Sequence, residues 1–174
     1  IIIFFFFVFI KTSHKLSGQN LFAMGLWISL ITFLLNIVLL FNYDFANSDL
    51  QFIEQYNWIE DYGITYKVGI DGLSFFFILL TTLLTPICII ISKNSVKSRL
   101  KEYIILFLLL ESFVIGTFIA LDLVVFYLFF ELTLIPMFLI IGIWGGENRI
   151  YATFKFFLYT FAGSILFLVA IIYI

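Results

Sequence analysis

Charge is scarce in this sequence. Its 174 residues include only 9 Lys and Arg and 11 Asp and Glu, 11% charged in all, where soluble domains carry about a quarter. A surface made from so few ionic groups cannot keep a water-soluble globule dispersed, and it cannot form the basic patch that nucleic acid requires. One cysteine, Cys88, excludes an intrachain disulfide and a cysteine-rich metal site. The single histidine, His14, lies in a short basic segment and reads as a surface residue rather than a ligand. There is no glycine-rich nucleotide loop, no HExxH, no paired cysteines and no nucleophile elbow, so the common signatures of nucleotide, zinc and acyl-transfer chemistry are missing.

What is abundant is apolar length. Hydrophobic residues make up 64% of the chain, aromatics 21%, and the mean hydropathy is +1.20. They fall into runs at 21–41, 70–91, 103–121, 123–144 and 151–174, and about 20 helical residues rising 1.5 Å each cross a hydrocarbon layer of about 30 Å. The expected fold class is therefore all-α: a multi-pass transmembrane helical bundle in a single membrane domain. A further run, "IIIFFFFVFI" at 1–10, is too short to span and lacks the basic flank of a signal peptide, so it reads as the end of a first helix. With "ILFLVAIIYI" running to Ile174 without a polar flank, the chain reads as a fragment.

The connecting segments alternate in character. One side of the membrane receives Lys11, Lys15, Lys93, Lys97, Arg99, Lys101, Arg149 and Lys155; the other has Lys67 and, in the loop 42–69, Asp44, Asp49, Glu54, Glu60 and Asp61. The positive-inside tendency assigns the basic side to the cytoplasm or matrix. Within the outer loop, "QFIEQYNWIEDYGITYKVGIDG" could form a short strand or an interfacial turn, with Trp58, Tyr62 and Tyr66 at the headgroup level. "GIDGLS" (69–74) and "WGGEN" (144–148) mark helix boundaries.

Two acids interrupt the apolar runs. Glu111 and Glu131 each lie eight or nine residues from an end of their runs, about 12 to 14 Å of rise, which is close to mid-membrane. A charged side chain there costs about 2.5 to 3.5 kcal/mol on insertion scales, so intramembrane acids face polar interiors and mark ion or proton paths; the plainer alternative is a hydrogen bond between helices. The short turn at Asp122 makes their helices antiparallel neighbours, and the two glutamates could share a depth. Pro136 removes the N–H that would bond the Leu132 carbonyl, close to Glu131, and Pro86 does the same for Thr82 within "TTLLTPICII". Either is a packing kink or part of an ion path. Lys155 satisfies itself by snorkelling, and Asp122 is either a wet turn or an anchor for backbone N–H groups.

"LDLVVFYLFFELTLIPMFLIIGIWGG" (121–146), then "ATFKFFLYTFAGSILFLVAI" (152–171) and "GIDGLSFFFILLTTLLTPICI" (69–89), closely resemble the subunit 4 family of the proton-pumping NADH:ubiquinone oxidoreductase, respiratory complex I, and less closely the related cation/proton antiporter subunits. The resemblance implies a partial antiporter-like subunit that contributes proton translocation to an NADH:ubiquinone reductase, with no redox site in this chain. NADH, flavin, iron-sulfur clusters and ubiquinone would be held by partner subunits. It also implies that Glu131 is the functional glutamate of the fifth helix, paired with a lysine of the seventh beyond Ile174, and that Glu111, Asp122 and Lys155 match an acid of the fourth helix, the turn acid and a lysine of the sixth. The implied partners are neighbouring antiporter-like and other membrane-arm subunits, the remainder of the same subunit and membrane lipids, with no nucleic acid. The implied location is the mitochondrial inner membrane, alternatively the bacterial plasma membrane; the Phe-, Ile- and Tyr-rich composition leans toward an organelle gene. The alternatives are a stand-alone cation/proton antiporter or a structural membrane segment.

Overall fold

The computed structural model describes residues 18–45, 49–59, 64–96 and 98–173. The expected first helix at 1–10, His14, Glu60 and Asp61 lie outside them. Five helices account for most of the described chain: α1 Gly18–Asn42, α2 Gly72–Ser95, α3 Leu100–Ile119, α4 Leu123–Trp144 and α5 Arg149–Tyr173. Each is long and apolar enough to cross a membrane. The architecture is an all-α membrane-spanning bundle with one addition, an antiparallel hairpin of β1 Gln51–Ile59 and β2 Ile64–Ile70. The outer segment thus takes the strand alternative. Its register shifts between Gln51 and Glu54, where Phe52 has φ 53°, and again between Asn57 and Ile59.

Helix ends follow local chemistry. Asp71 caps α2 by accepting a hydrogen bond from the Ser74 N–H at 2.7 Å, and Asp122 caps α4 by accepting from Val124 and Val125 at 2.9 and 3.2 Å. Each carboxylate satisfies N–H groups that the first turn leaves without an intrahelical acceptor. Pro86 and Pro136 sit inside continuous helices. The hydroxyls of Thr81, Thr82 and Thr85 donate to carbonyls three or four residues earlier, reaching Phe77, Ile78, Leu79 and Thr81, so they turn away from the carbonyl that Pro86 frees at Thr82.

The helices α1, α2 and α3 pack mutually, α4 lies against α3, and α5 lies against α4. Leu21, Ile28, Ile89, Ile104 and Leu108 form the buried apolar cluster at the meeting of the first three. Close approach needs small residues here: a Cβ on Gly25 would collide with Ile104, and one on Gly116 would collide with the Phe129 ring. Many outward apolar side chains are exposed, including Phe41, Leu73, Leu166 and Ile172. This is the distribution expected where the surroundings are hydrocarbon rather than water.

The hairpin is fastened to the α3–α4 turn. The Leu121 N–H donates to the Lys67 carbonyl at 3.0 Å, Val68 pairs with Ala120, and a Cβ on Gly69 would press on Leu121 at 2.8 Å. The acidic outer segment therefore braces the turn from which Asp122 starts α4.

Candidate functional site

Polar side chains in this bundle lie inside, on stripes. Ser29, Thr32 and Asn36 of α1, spaced three and four residues apart, share one face and are all buried. Thr82, Thr85 and Ser92 of α2 occupy the buried face that also carries Phe75, Ile78 and Ile89. The two stripes meet where the Asn36 amide donates to the Thr82 hydroxyl at 3.1 Å, and Thr82 in turn donates to the Ile78 carbonyl at 3.0 Å. This pair ties α1 to α2 at mid-helix.

Glu111 completes that region from α3. It is 2% exposed, and neither carboxyl oxygen has a hydrogen-bond partner among the described residues. It shares a face with Ile104 and Leu108, seven and three residues earlier, which join the cluster against α1 and α2. Beside it is a cavity of about 160 Å³ that Thr81, Thr85 and Cys88 also line. The collision of Gly25 with Ile104 sets the parallel register of α1 and α3, and continuing it by seven residues brings Thr32 to the depth of Glu111.

Glu131 occupies a different interface. It follows Tyr127 by four residues and precedes Phe138 by seven, so it lies on their face of α4. That face meets α5: Tyr127 approaches Phe167 at 6.4 Å, and Phe138 approaches Phe157 at 5.3 Å. Glu131 is half-buried, and its Oε2 is buried without a hydrogen-bond partner among the described residues. Gly142 faces Thr153 at 3.5 Å, and extending that antiparallel register brings Ser164, buried on the α4-facing side of α5, to the depth of Glu131. The Ser164 hydroxyl donates to Phe161 at 2.9 Å, leaving its oxygen lone pairs as acceptors.

The two glutamates are therefore neighbours in depth on separate faces. Gly116 opposing Phe129 and Tyr103 opposing Trp144 place Glu111 across from residues 134 to 136 of α4, roughly 5 to 8 Å nearer the basic end than Glu131. Gly116, five residues beyond Glu111, faces α4, so Glu111 looks about 140° away from it, toward α1 and α2. An α3–α4 carboxylate pair does not form.

The remaining expected residues are placed as follows. Asp122 caps α4, the anchor alternative. Pro136 is buried one turn beyond Glu131. Lys155 is exposed, with its Nζ 5.7 Å from the Tyr151 ring centroid. It lies two residues past Thr153, on the side of α5 turned from α4, and about nine residues of depth from Glu131, roughly 13 Å. The residues that sequence reasoning missed are Ser29, Thr32, Asn36 and Ser164. Their signal was present as polar groups at helical spacing within apolar runs.

Chemically, the arrangement offers one buried carboxyl group, Glu111, with Thr81 and Thr85 lining the same cavity, and one half-buried carboxyl group, Glu131; among the described residues three of their four oxygens are buried without a hydrogen-bond partner. A carboxylic acid in such surroundings exchanges its proton only when water or a positive charge reaches it. Among the described residues, no three His, Cys, Asp or Glu side chains gather as a metal site would require.

Comparison with known proteins gives a consistent relationship. The family described as "NADH:quinone oxidoreductase/Mrp antiporter, TM" matches residues 120–174, a span that holds Glu131 and Ser164. NADH-quinone oxidoreductase subunit M of Rickettsia typhi is 50% identical over 169 residues, covering 96% of this chain and 34% of the relative. The subunit M of Rhodobacter capsulatus is 53% identical over 162 residues, covering 93% and 31%, and NADH-ubiquinone oxidoreductase chain 4 of Marchantia polymorpha is 49% identical over 153, covering 87% and 31%. The chain spans about a third of the length of these relatives. Among solved structures, respiratory complex I from Thermus thermophilus with bound NADH superposes with a TM-score of 0.78 at 28% identity, over 99% of this chain and 35% of that one. The Mrp complex from Dietzia sp. shares the fold, with a TM-score of 0.65 at 21% identity over 88% of this chain and 16% of that one.

Proposed function

From the premise that the chain is homologous to NADH-quinone oxidoreductase subunit M, the antiporter-like membrane subunit of complex I, we propose that it contributes to moving protons across the membrane as part of a larger membrane subunit. The observation that carries this reading is Glu131: a half-buried carboxyl group well inside a helix long and apolar enough to cross a membrane, with one buried oxygen lacking a hydrogen-bond partner among the described residues and Pro136 five residues on. Glu111 is the second proton-holding group, on the α1–α2 side. A proton resting on either carboxyl would move when a nearby positive charge changes its distance, because Coulomb energies in a poorly screened interior are several times those in water. Lys155 is too far along its helix to supply that charge to Glu131, so the charge would come from the remainder of the subunit. Asp122 and Pro136 act as positioning residues.

In the finer reading, proton movement is coupled to NADH oxidation and ubiquinone reduction. Flavin, iron-sulfur clusters and quinone would be held by other subunits, and other membrane-arm subunits and lipids would surround this one. The membrane is the mitochondrial inner membrane or a bacterial plasma membrane; relatives come from bacteria and plants. A second reading, exchange of a cation for protons without redox partners, is favoured by the matched family description, which joins Mrp antiporters to quinone oxidoreductases, and by the shared fold. Both readings use the same carboxyl groups.

The test is Glu131→Gln in the full-length subunit, assembled in membranes and assayed for proton transfer during NADH oxidation. The substitution preserves shape and should leave assembly intact while removing most proton transfer. Unchanged transfer would sink the role given to Glu131. Sodium-for-proton exchange that persists without any redox complex would favour the antiporter reading.

A further inference from the structure

The face that α5 turns to α4 is made of rings and hydroxyls. Thr153 and Ser164, each 2% exposed, bracket Phe157 and the half-buried Thr160 on it. Thr153 lies 3.5 Å from a Cβ built on Gly142, and the Phe157 ring meets Phe138 at 5.3 Å. In both contacts the α4 residue stands as far beyond Glu131 as its α5 partner stands before Ser164: eleven residues in the first and seven in the second. Two separate contacts thus set Glu131 and Ser164 opposite one another in a single antiparallel register. The seam continues past them, where Tyr127 and Phe126 approach Phe167 at 6.4 and 5.9 Å, so the pair lies within it and not at its end.

Packing alone does not call for a hydroxyl at 164. Alanine would fill nearly the same space, and a serine bonded back to its own helix slightly weakens that helix. The Ser164 hydroxyl donates to the Phe161 carbonyl at 2.9 Å, and its oxygen keeps acceptor capacity toward α4. It can also turn its proton elsewhere, because the Phe161 carbonyl lies inside α5 and has the helix N–H four residues on. Across the seam, Glu131 Oε2 is buried with no hydrogen-bond partner among the described residues. The other polar groups near this depth are engaged or turned away. Tyr127, one turn earlier on α4, packs on Phe167. Thr133 points about 160° away round α4 and donates to its own Phe130 carbonyl at 2.7 Å. Glu111 faces α1 and α2, and Lys155 lies on the far side of α5, nearer the basic end.

We infer that Ser164 is the positioning residue for the proton on Glu131, a hydroxyl that serves both states of the carboxyl group. With Glu131 protonated, the carboxyl O–H donates to Ser164 Oγ while the Ser164 O–H stays on the Phe161 carbonyl. When the proton leaves, the Ser164 O–H turns from Phe161 and donates to the carboxylate. One side-chain hydrogen bond is exchanged for another, and no helix has to move. The contact is made directly or across one water, which bridges two polar groups nearly as well as a direct bond. This role of Ser164 rests on the reading of Glu131 as a proton-holding group, and it makes α5 part of the site.

The test is a static infrared difference between acid and alkaline samples of the assembled full-length subunit in membranes. Subtracting the same difference for Glu131→Gln isolates the neutral C=O band of Glu131 without any turnover. In Ser164→Ala that band should move to higher wavenumber, as for a carboxylic acid that has lost its acceptor, and in Ser164→Thr, which keeps the hydroxyl, it should return. Proton transfer during NADH oxidation should fall several-fold in Ser164→Ala and recover in Ser164→Thr. A band that Ser164→Ala leaves in place, a shift that Ser164→Thr does not reverse, or no band at all overturns the pairing. The two readings fail separately. A band that answers to Ser164 but never appears during turnover keeps the pairing and removes Glu131 from proton transfer. A band that appears during turnover and ignores Ser164 does the reverse.

Discussion

Acidic residues meet two kinds of surroundings here, and position in the helix decides which. Asp71 and Asp122 stand just before α2 and α4, where free N–H groups stabilise a negative charge. The hydrogen bonds from the Ser74 side chain, and then from its backbone N–H, hold the Asp71 carboxyl below its ordinary value of 3.8. A group whose folded value is depressed stabilises the fold above its unfolded value, and this contribution disappears as pH falls through the lowered one. Removing such a cap costs about 1 kcal/mol. In Asp71→Ala, backbone amides in the first turn of α2 should therefore exchange hydrogen about fivefold faster at neutral pH, with the difference from the parent vanishing in acid; a difference that persists there would mean that something other than the charged cap was lost. Glu111, by contrast, has no backbone donor among the described residues to answer its charge. Glu111→Gln should leave the bundle's thermal stability nearly unchanged while lowering proton transfer, read by parallel melting and pumping assays.

At the scale of elements, the polar stripes act as registers between helices that are otherwise greasy on all sides. Thr82→Val removes the acceptor of the Asn36 amide with almost no change in shape. An interhelical hydrogen bond in a membrane is worth about 0.6 kcal/mol on average, so the loss should be small and confined to the α1–α2 pair, as measured by local hydrogen exchange. Gly116→Val should be more severe, about 1 to 3 kcal/mol, because the added carbons meet the Phe129 ring and push α3 from α4. The helices themselves were legible from the apolar runs: 123–144 coincides with α4, and the other bounds move by a few residues, the longest difference being the extension of α2 to Ser95, where lysine and asparagine can leave the hydrocarbon without ending the helix. The positions of Glu111 and Glu131 along α3 and α4 follow from the same runs. Their faces were not, since an all-round apolar helix such as α4 has no polar side to orient it, and its rotation is set by contacts such as Gly116–Phe129 and Phe138–Phe157. Nor could the hairpin's attachment to the α3–α4 turn be read, because a single backbone bond from Leu121 to Lys67 leaves no pattern in side-chain type.

On the scale of the whole molecule, the interior is more polar than a soluble core and the exterior more apolar than a soluble surface. Basic residues gather at one end of the helices and the acidic hairpin lies at the other. Glu111 is nearer the basic end, and Glu131 lies deeper on the interface with α5. The two carboxyl groups thus stand at two depths on two sides of the α3–α4 pair, with Ser164 of α5 at the depth of the second. The central claim is that Glu131 changes its protonation during turnover, and infrared difference spectroscopy on the assembled full-length subunit measures this without relying on net transport. Driving the complex through its cycle should produce a carboxylic C=O band that shifts in D2O and is absent from Glu131→Gln. A difference spectrum that Glu131→Gln leaves unchanged, in a complex that still turns over, would contradict the claim.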